Sequence, residues 1–206
     1  MTKRRNSTIN PLVIEMTMTA FLAALIILMT FTPIGYIPLG PVKMTLLTLP
    51  VAVGSIVLGW RSGLILGTVF GLTSFYTCFG LDLVGVGLMA INPFLTFVMC
   101  VVPRVLCGYL PALIYKAISA NGTKRVMLAI PVAAASVAII NTLLFLSSMW
   151  IFFGGSLTDV VGLPIDNIFA LFALFAGTNG LIEIAVNIVI GTAICKPLIQ
   201  ASKRFI

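Results

Sequence analysis

Six apolar runs, at about 12–31, 44–60, 62–79, 93–115, 127–153 and 168–195, dominate this 206-residue chain and restrict what it can fold into. In hydrocarbon every backbone N–H and C=O has to be satisfied within the protein, so a run of roughly 17–25 apolar residues becomes a transmembrane helix. The run at 44–60 is the shortest, which fits a tilted or interrupted span. Composition agrees: 60% of the residues are hydrophobic and 8% charged, whereas soluble domains are usually about 45–50% apolar. The expectation is an all-α integral membrane protein, a six-helix bundle forming one membrane domain over 1–206. The opening MTKRRNSTINPLVIEMTMTAFLAALIILMT also has the basic head and apolar body of a secretory signal. No small-residue cleavage site follows and further runs do, so it is read as the first helix.

The cations orient the bundle. Lys3, Arg4 and Arg5 precede the first run, Arg61 separates the second and third, Lys116, Lys124 and Arg125 lie between the fourth and fifth, and Lys196, Lys203 and Arg204 follow the last. The alternate connections hold Lys43 together with Asp82, Asp159 and Asp166. Under the positive-inside rule both termini face the cytoplasm. The net charge of +7 is thus a product of topology. It is split among membrane-flanking clusters and not gathered into a nucleic-acid-binding face.

Several chemistries are excluded. There is no histidine, which removes the commonest metal ligand and His-dependent activation of a nucleophile. Cys78, Cys100, Cys107 and Cys195 contain no CxxC pair and read as small packing residues. No phosphate-cradling GxxxxGKS/T loop, no GxSxG elbow and no carboxylate pair within one run occurs. The chain is therefore not expected to be an enzyme, to hydrolyse nucleotide itself, or to hold a metal or cofactor.

Two features concern packing and one concerns shape. Gly63, Gly67 and Gly71 in GLILGTVFG make two overlapping GxxxG units, which let a second backbone come close. Ala20 and Ala24 in AFLAA form a small-xxx-small pair in the first helix. The connection TFTPIGYIPLGPVKMTL contains Pro33, Pro38, Pro41, Gly35 and Gly40 and cannot continue as regular helix. It carries Tyr36 and Lys43, and is either a turn with an interfacial tyrosine or a stiffened lid over the bundle mouth. The segment 154–167 is a second candidate flap.

An ionisable side chain at mid-span costs at least about 2.5–3.5 kcal/mol, so it needs a partner or a role. Arg104 in the fourth run and Glu183 in the sixth sit at similar depth. Either they form a buried pair that locks two helices, or one or both face a substrate cavity, with the Arg104 guanidinium offering a planar fork to a carboxylate. Asn179, Glu183 and Asn187 repeat at i, i+4 and i+8 and share one face of the sixth helix; Asn187, the deepest, reads as interhelical glue. Asn141, Asn92 and Thr96 add donors and acceptors. Pro103 beside Arg104 bends the fourth helix and frees a carbonyl near Met99.

With these features in place the chain resembles the S-components of energy-coupling-factor transporters, membrane subunits that capture vitamins for a partner ATPase complex. The resemblance covers nearly the whole chain. It rests on the six runs with both termini inside, Ala20 and Ala24, and the Pro/Gly-rich loop leading into PLGPVKMTLLTLPVAVGSIVLGWRSG. It rests also on FGLTSFY before a loop ending in NP and then PRVLCGYLPALIYK. It implies a cell-membrane location in a prokaryote and docking of the Ala20/Ala24 face on a transmembrane coupling subunit that works with two ATPase subunits. It implies further that Tyr36, Lys43, Arg104, Asn141, Asn179 and Glu183 hold substrate near the outer side, and that the loaded subunit topples to release it inside. Asn92 joins this set as a candidate from its position at the start of the fourth helix.

Lys43 and Arg104 favour an acidic vitamin, and pantothenate, with one carboxylate, hydroxyls and an amide, is the first choice. Riboflavin, folate and cobalamin stay open. The alternative is a proton-coupled secondary transporter of a small acidic solute, with Glu183 taking and giving the proton.

Overall fold

The computed structural model describes residues 10–39, 42–120 and 123–202, with backbone alone at 36–39, 42–44, 123–124, 178–179 and 201–202. The basic residues Lys3, Arg4, Arg5, Lys203 and Arg204, and the loop residues Gly40 and Pro41, lie outside the described residues.

The fold is predominantly helical. Helix α1 (Pro11–Thr30) starts where Asn10 Oδ1 accepts the Leu12 N–H at 3.0 Å and Pro11 fills the first turn, a position where the missing proline N–H costs nothing. It is less buried than the later helix of the fourth predicted run, at 17% against 44% of their most apolar stretches. Its inward stripe is Thr19, Leu22, Ile26 and Met29. Thr19 donates to Ser62 Oγ at 2.9 Å, and Ser62 to Glu15 Oε1 at 3.3 Å, so hydroxyls pin α1 to its neighbour.

The proline-rich connection forms an antiparallel hairpin, β1 (Tyr36–Leu39) and β2 (Val42–Thr45), in the register Tyr36↔Thr45 and Pro38↔Lys43. This corrects the second expected span. Its first residues are strand, and the helix begins later as α2 (Thr48–Val53), which runs into a π-helical turn at Gly54–Leu58. Gly59, at φ +95°, makes the reversal into α3 (Trp60–Thr77), a conformation glycine alone adopts without strain. The next connection holds an unexpected short helix, α4 (Leu83–Ile91), capped by Asp82.

Helix α5 (Pro93–Ser119) and helix α6 (Thr123–Phe153) follow as the long central pair. After a 3-10 turn and α7 (Leu157–Val161), Asn167 caps α8 (Ile168–Val186), which passes through a second π-helical turn (Asn187–Gly191) into α9 (Thr192–Ser202). Helix thus forms at each expected place. Among the described residues four stretches are long and apolar enough to cross a bilayer: Pro11–Thr30, Pro93–Ser119, Arg125–Val161 and Gly180–Gln200.

The glycines of α3 meet α5 antiparallel. A methyl group at Gly63 would strike the Gly108 carbonyl, one at Gly108 would strike the Gly63 carbonyl, and one at Gly67 would strike the carbonyl of Arg104. The ring pair Trp60 and Tyr109, 6.1 Å apart, closes the same end of the seam. That end also carries the exposed Arg61 and Lys116.

Two apolar clusters fill the bundle. One gathers Ile26, Leu47, Val51, Leu66, Phe70, Cys107, Ala134, Val137 and Cys195; the other gathers Cys78, Leu88, Met99, Cys100, Leu146, Met149, Leu157 and Leu171. Each long interior helix passes from one cluster to the other, and a buried polar residue lies in between: Ser74 on α3, Arg104 on α5, Asn141 on α6 and Glu183 on α8. A polar layer therefore divides the core.

Candidate functional site

That layer is the candidate site. Arg104 is 7% exposed, and its position follows from two sequence features. Gly67 lets α3 lie directly against the Arg104 backbone. Pro103, one residue earlier, has no N–H for the carbonyl four residues back, and that carbonyl, Met99 O, accepts from Arg104 Nη1 at 3.2 Å. The guanidinium lies over the Phe145 ring at 3.9 Å from its centroid and 5.6 Å from that of Phe70. Cation–π contact of this kind is worth up to about 2 kcal/mol when desolvated. It supplies no hydrogen bonds, and Arg104 Nε is buried without a partner. The cation is oriented, packed and only partly satisfied.

Glu183 is buried too, at 6% exposed. Thr48 Oγ1 donates to its Oε1 at 3.1 Å, and Asn187 Nδ2 donates to Thr48 Oγ1 and to the Glu183 carbonyl, both at 2.9 Å. These contacts tie α8 to α2 across 135 residues of sequence. The direct Arg104–Glu183 pair, one of the two readings of these charges, is not formed among the described residues. Each charge has its own partners, and Asn187 serves as glue between helices.

Asn141 is buried on α6, and its Oδ1 and the Oδ1 of Asn187 have no hydrogen-bond partner among the described residues. An amide oxygen held this way accepts an N–H or O–H from whatever enters the layer; left empty it costs about 1–3 kcal/mol. Asn92 is committed elsewhere: its Oδ1 accepts from Phe94 N and Leu95 N, both at 3.1 Å, as the N-cap of α5. Thr96 bonds the Asn92 carbonyl at 2.9 Å. Tyr36, Lys43 and Asn179 have side chains outside the described residues. Their backbones lie on β1, β2 and α8, and β2 packs against α8, so the hairpin rests on the helix that carries Glu183.

Sequence reasoning missed Thr48. It lies in the shortest run, and threonine in a membrane helix usually satisfies its hydroxyl on its own backbone; its spacing to Glu183 left no trace. Ala20 and Ala24 are both exposed on α1, away from the buried stripe.

The arrangement gathers a buried guanidinium and two amide oxygens that lack partners among the described residues. The family model for the substrate-specific component of ECF (energy-coupling factor) transporters matches residues 15–195. The chain belongs to that family. Its similarity extends to the pantothenic acid transporter PanT of Lactococcus lactis subsp. cremoris, 35% identical over 193 residues, covering 88% of this chain and 91% of that one. The pantothenate transporter PanT of Leuconostoc mesenteroides is 28% identical over 194 residues, covering 90% and 92%. Membership makes this the substrate-specific component of a transporter.

Proposed function

We propose that this S-component captures pantothenate at the outer face of the cell membrane and delivers it by toppling against an ATPase-driven coupling module. The carrying observation is the Arg104 guanidinium, buried, stacked on Phe145 and left with an unpartnered Nε. A carboxylate supplies what that group lacks, through charge-assisted hydrogen bonds. The orphan oxygens of Asn141 and Asn187 complement the hydroxyls and amide of pantothenate. The names of the two relatives favour the same vitamin.

In this reading the helices α1, α2, α3, α5, α6 and the joined α8 and α9 are the six spans. The end bearing Arg61, Lys116, Arg125 and Lys196, all exposed, faces the cytoplasm. The hairpin, with Tyr36 and Lys43, is the outer lid beside Asn179. Ala20 and Ala24 offer the coupling subunit a shallow surface, and two ATPase subunits supply the energy.

Native mass spectrometry of the protein taken from its own membranes tests this directly: a retained pantothenate and bound coupling subunits are expected. Uptake by this chain in a host without the partner ATPases should stay at background. Concentrative uptake under those conditions, abolished by a protonophore, would overturn the reading. Glu183, buried without a counter-ion among the described residues, supports the proton-coupled alternative. The alternative requires Glu183→Gln to abolish gradient-dependent uptake, whereas the capture reading requires the purified wild-type protein to bind pantothenate with no proton gradient present.

A further inference from the structure

Cys78 and Cys100 lie beside the polar layer, with Cys78 Sγ donating to the Ser74 carbonyl at 3.6 Å. Cys78 closes the C-terminus of α3, Cys100 lies on α5 one helical turn before Arg104, and their sulfurs are 3.8 Å apart. Both are free thiols. Their proximity is imposed from outside the pair, because the glycine seam holds α3 and α5 together and Gly71 sits against Val101. Helix α4 presents bare backbone to the same place: a Cβ at Gly85 would lie 2.6 Å from Cys78 Sγ. Cys78 also forms part of the wall of an open groove of about 430 Å³, with Phe75, Phe79, Val86, Met89 and Pro93 as its apolar neighbours. Reaching a disulfide S–S distance of roughly 2.05 Å calls for a side-chain adjustment on a seam that is already closed.

We propose that Cys78 and Cys100 form a redox-active dithiol, oxidised to an intrachain disulfide by a small uncharged disulfide that enters the apolar groove. The Cys78 thiolate attacks one sulfur of the incoming disulfide, forming a mixed disulfide and expelling one thiolate. Cys100, deprotonated in turn, attacks Cys78 Sγ and expels the second. The two protein thiols lose two electrons and two protons. The reagent's S–S bond is reduced, and it leaves as two thiols. The product staples the end of α3 to the turn of α5 whose Met99 carbonyl holds Arg104. Cys107 and Cys195, buried as Cys78 and Cys100 are but without a sulfur partner among the described residues and away from the groove, are internal controls.

The test treats the folded, full-length protein in detergent with hydroxyethyl disulfide, followed by alkylation and peptide mass mapping. The expected product has lost two hydrogens, yields a linked Cys78–Cys100 peptide and is reversed by dithiothreitol. Loss of these two thiols should run at least about tenfold faster than loss of Cys107 and Cys195, as access dictates. In Cys100→Ser, Cys78 should stop at the mixed disulfide; in Cys78→Ser, Cys100 should stay unreacted. All four thiols remaining free in the folded protein, a persistent mixed disulfide in the wild type, or linkage between two chains would each overturn the proposal. The same reagent acting on the unfolded chain confirms its potency. None of these readouts involves the vitamin, so the outcome is independent of the proposed substrate.

Discussion

The α3–α5 seam and the hydrogen-bonded link from α2 to α8 and its π-helical turn each bury one charge, and they treat it in opposite ways. On the α2–α8 side Glu183 is answered within the protein, by the Thr48 hydroxyl and through it by Asn187. On the α3–α5 side Arg104 has one carbonyl and two aromatic faces. Aromatic faces hold a guanidinium in place without consuming its N–H groups. The first arrangement joins two helices and answers the carboxylate oxygen it touches, while Asn187 Oδ1 beside it keeps no partner among the described residues. The second is oriented and only partly satisfied, and in the capture reading the anion of the substrate completes it. Separate partners also keep Glu183 from neutralising Arg104, which a direct pair would have done.

The strongest challenge to this contrast is Arg104→Ala, which should weaken pantothenate binding by on the order of 100-fold or more, read by calorimetry on the purified protein. Arg104→Lys should recover only part of that, since charge returns and the planar fork does not. A variant protein that binds normally would make Arg104 a packing residue. Next in size is Gly67→Ala, whose added methyl meets the Arg104 carbonyl. It should cost about 1–3 kcal/mol of stability and also weaken binding, because the displaced backbone carries the guanidinium.

Thr48→Val should show the reverse pattern from Arg104: a loss of about 1–3 kcal/mol in unfolding experiments in detergent, with affinity nearly kept. Should Thr48→Val instead abolish binding while leaving stability intact, Glu183 and its partners would belong to the ligand and the contrast would fail. The smallest effect is expected for Asn92→Ala, about 1 kcal/mol from the lost cap with no change in affinity. That result would remove Asn92 from the site and leave it as the start signal of α5.

Much of this could be read from the chain beforehand, for reasons specific to each feature. The apolar runs placed the helices because periodic burial is not needed where lipid replaces water. The prolines and glycines after α1 excluded helix, although the hairpin itself depended on pairing two segments that each look like loop. The glycine triplet in α3 announced a close partner, and Pro103 announced a free carbonyl. Neither named the other member: that Gly67 lies against Arg104 and that Met99 O receives its guanidinium are facts about two helices together. The Arg104–Glu183 pair, one of two readings of these charges, rested on depth alone. Depth leaves helix rotation open, and rotation gave Glu183 to Thr48.

By itself the sequence determined the membrane class, the places of the helices, the cost attached to Arg104 and Glu183, and a family resemblance that the match over residues 15–195 supports. Those properties are local, since hydropathy, missing N–H groups and ionisable side chains carry their energetic consequences wherever the chain goes. The tertiary structure alone decided which charge is satisfied, that Thr48 is the hinge of the Glu183 network, and that two unremarkable cysteines face each other at 3.8 Å. Those are matters of helix rotation and register, set by many weak packing contacts acting at once, and no single stretch of residues encodes them.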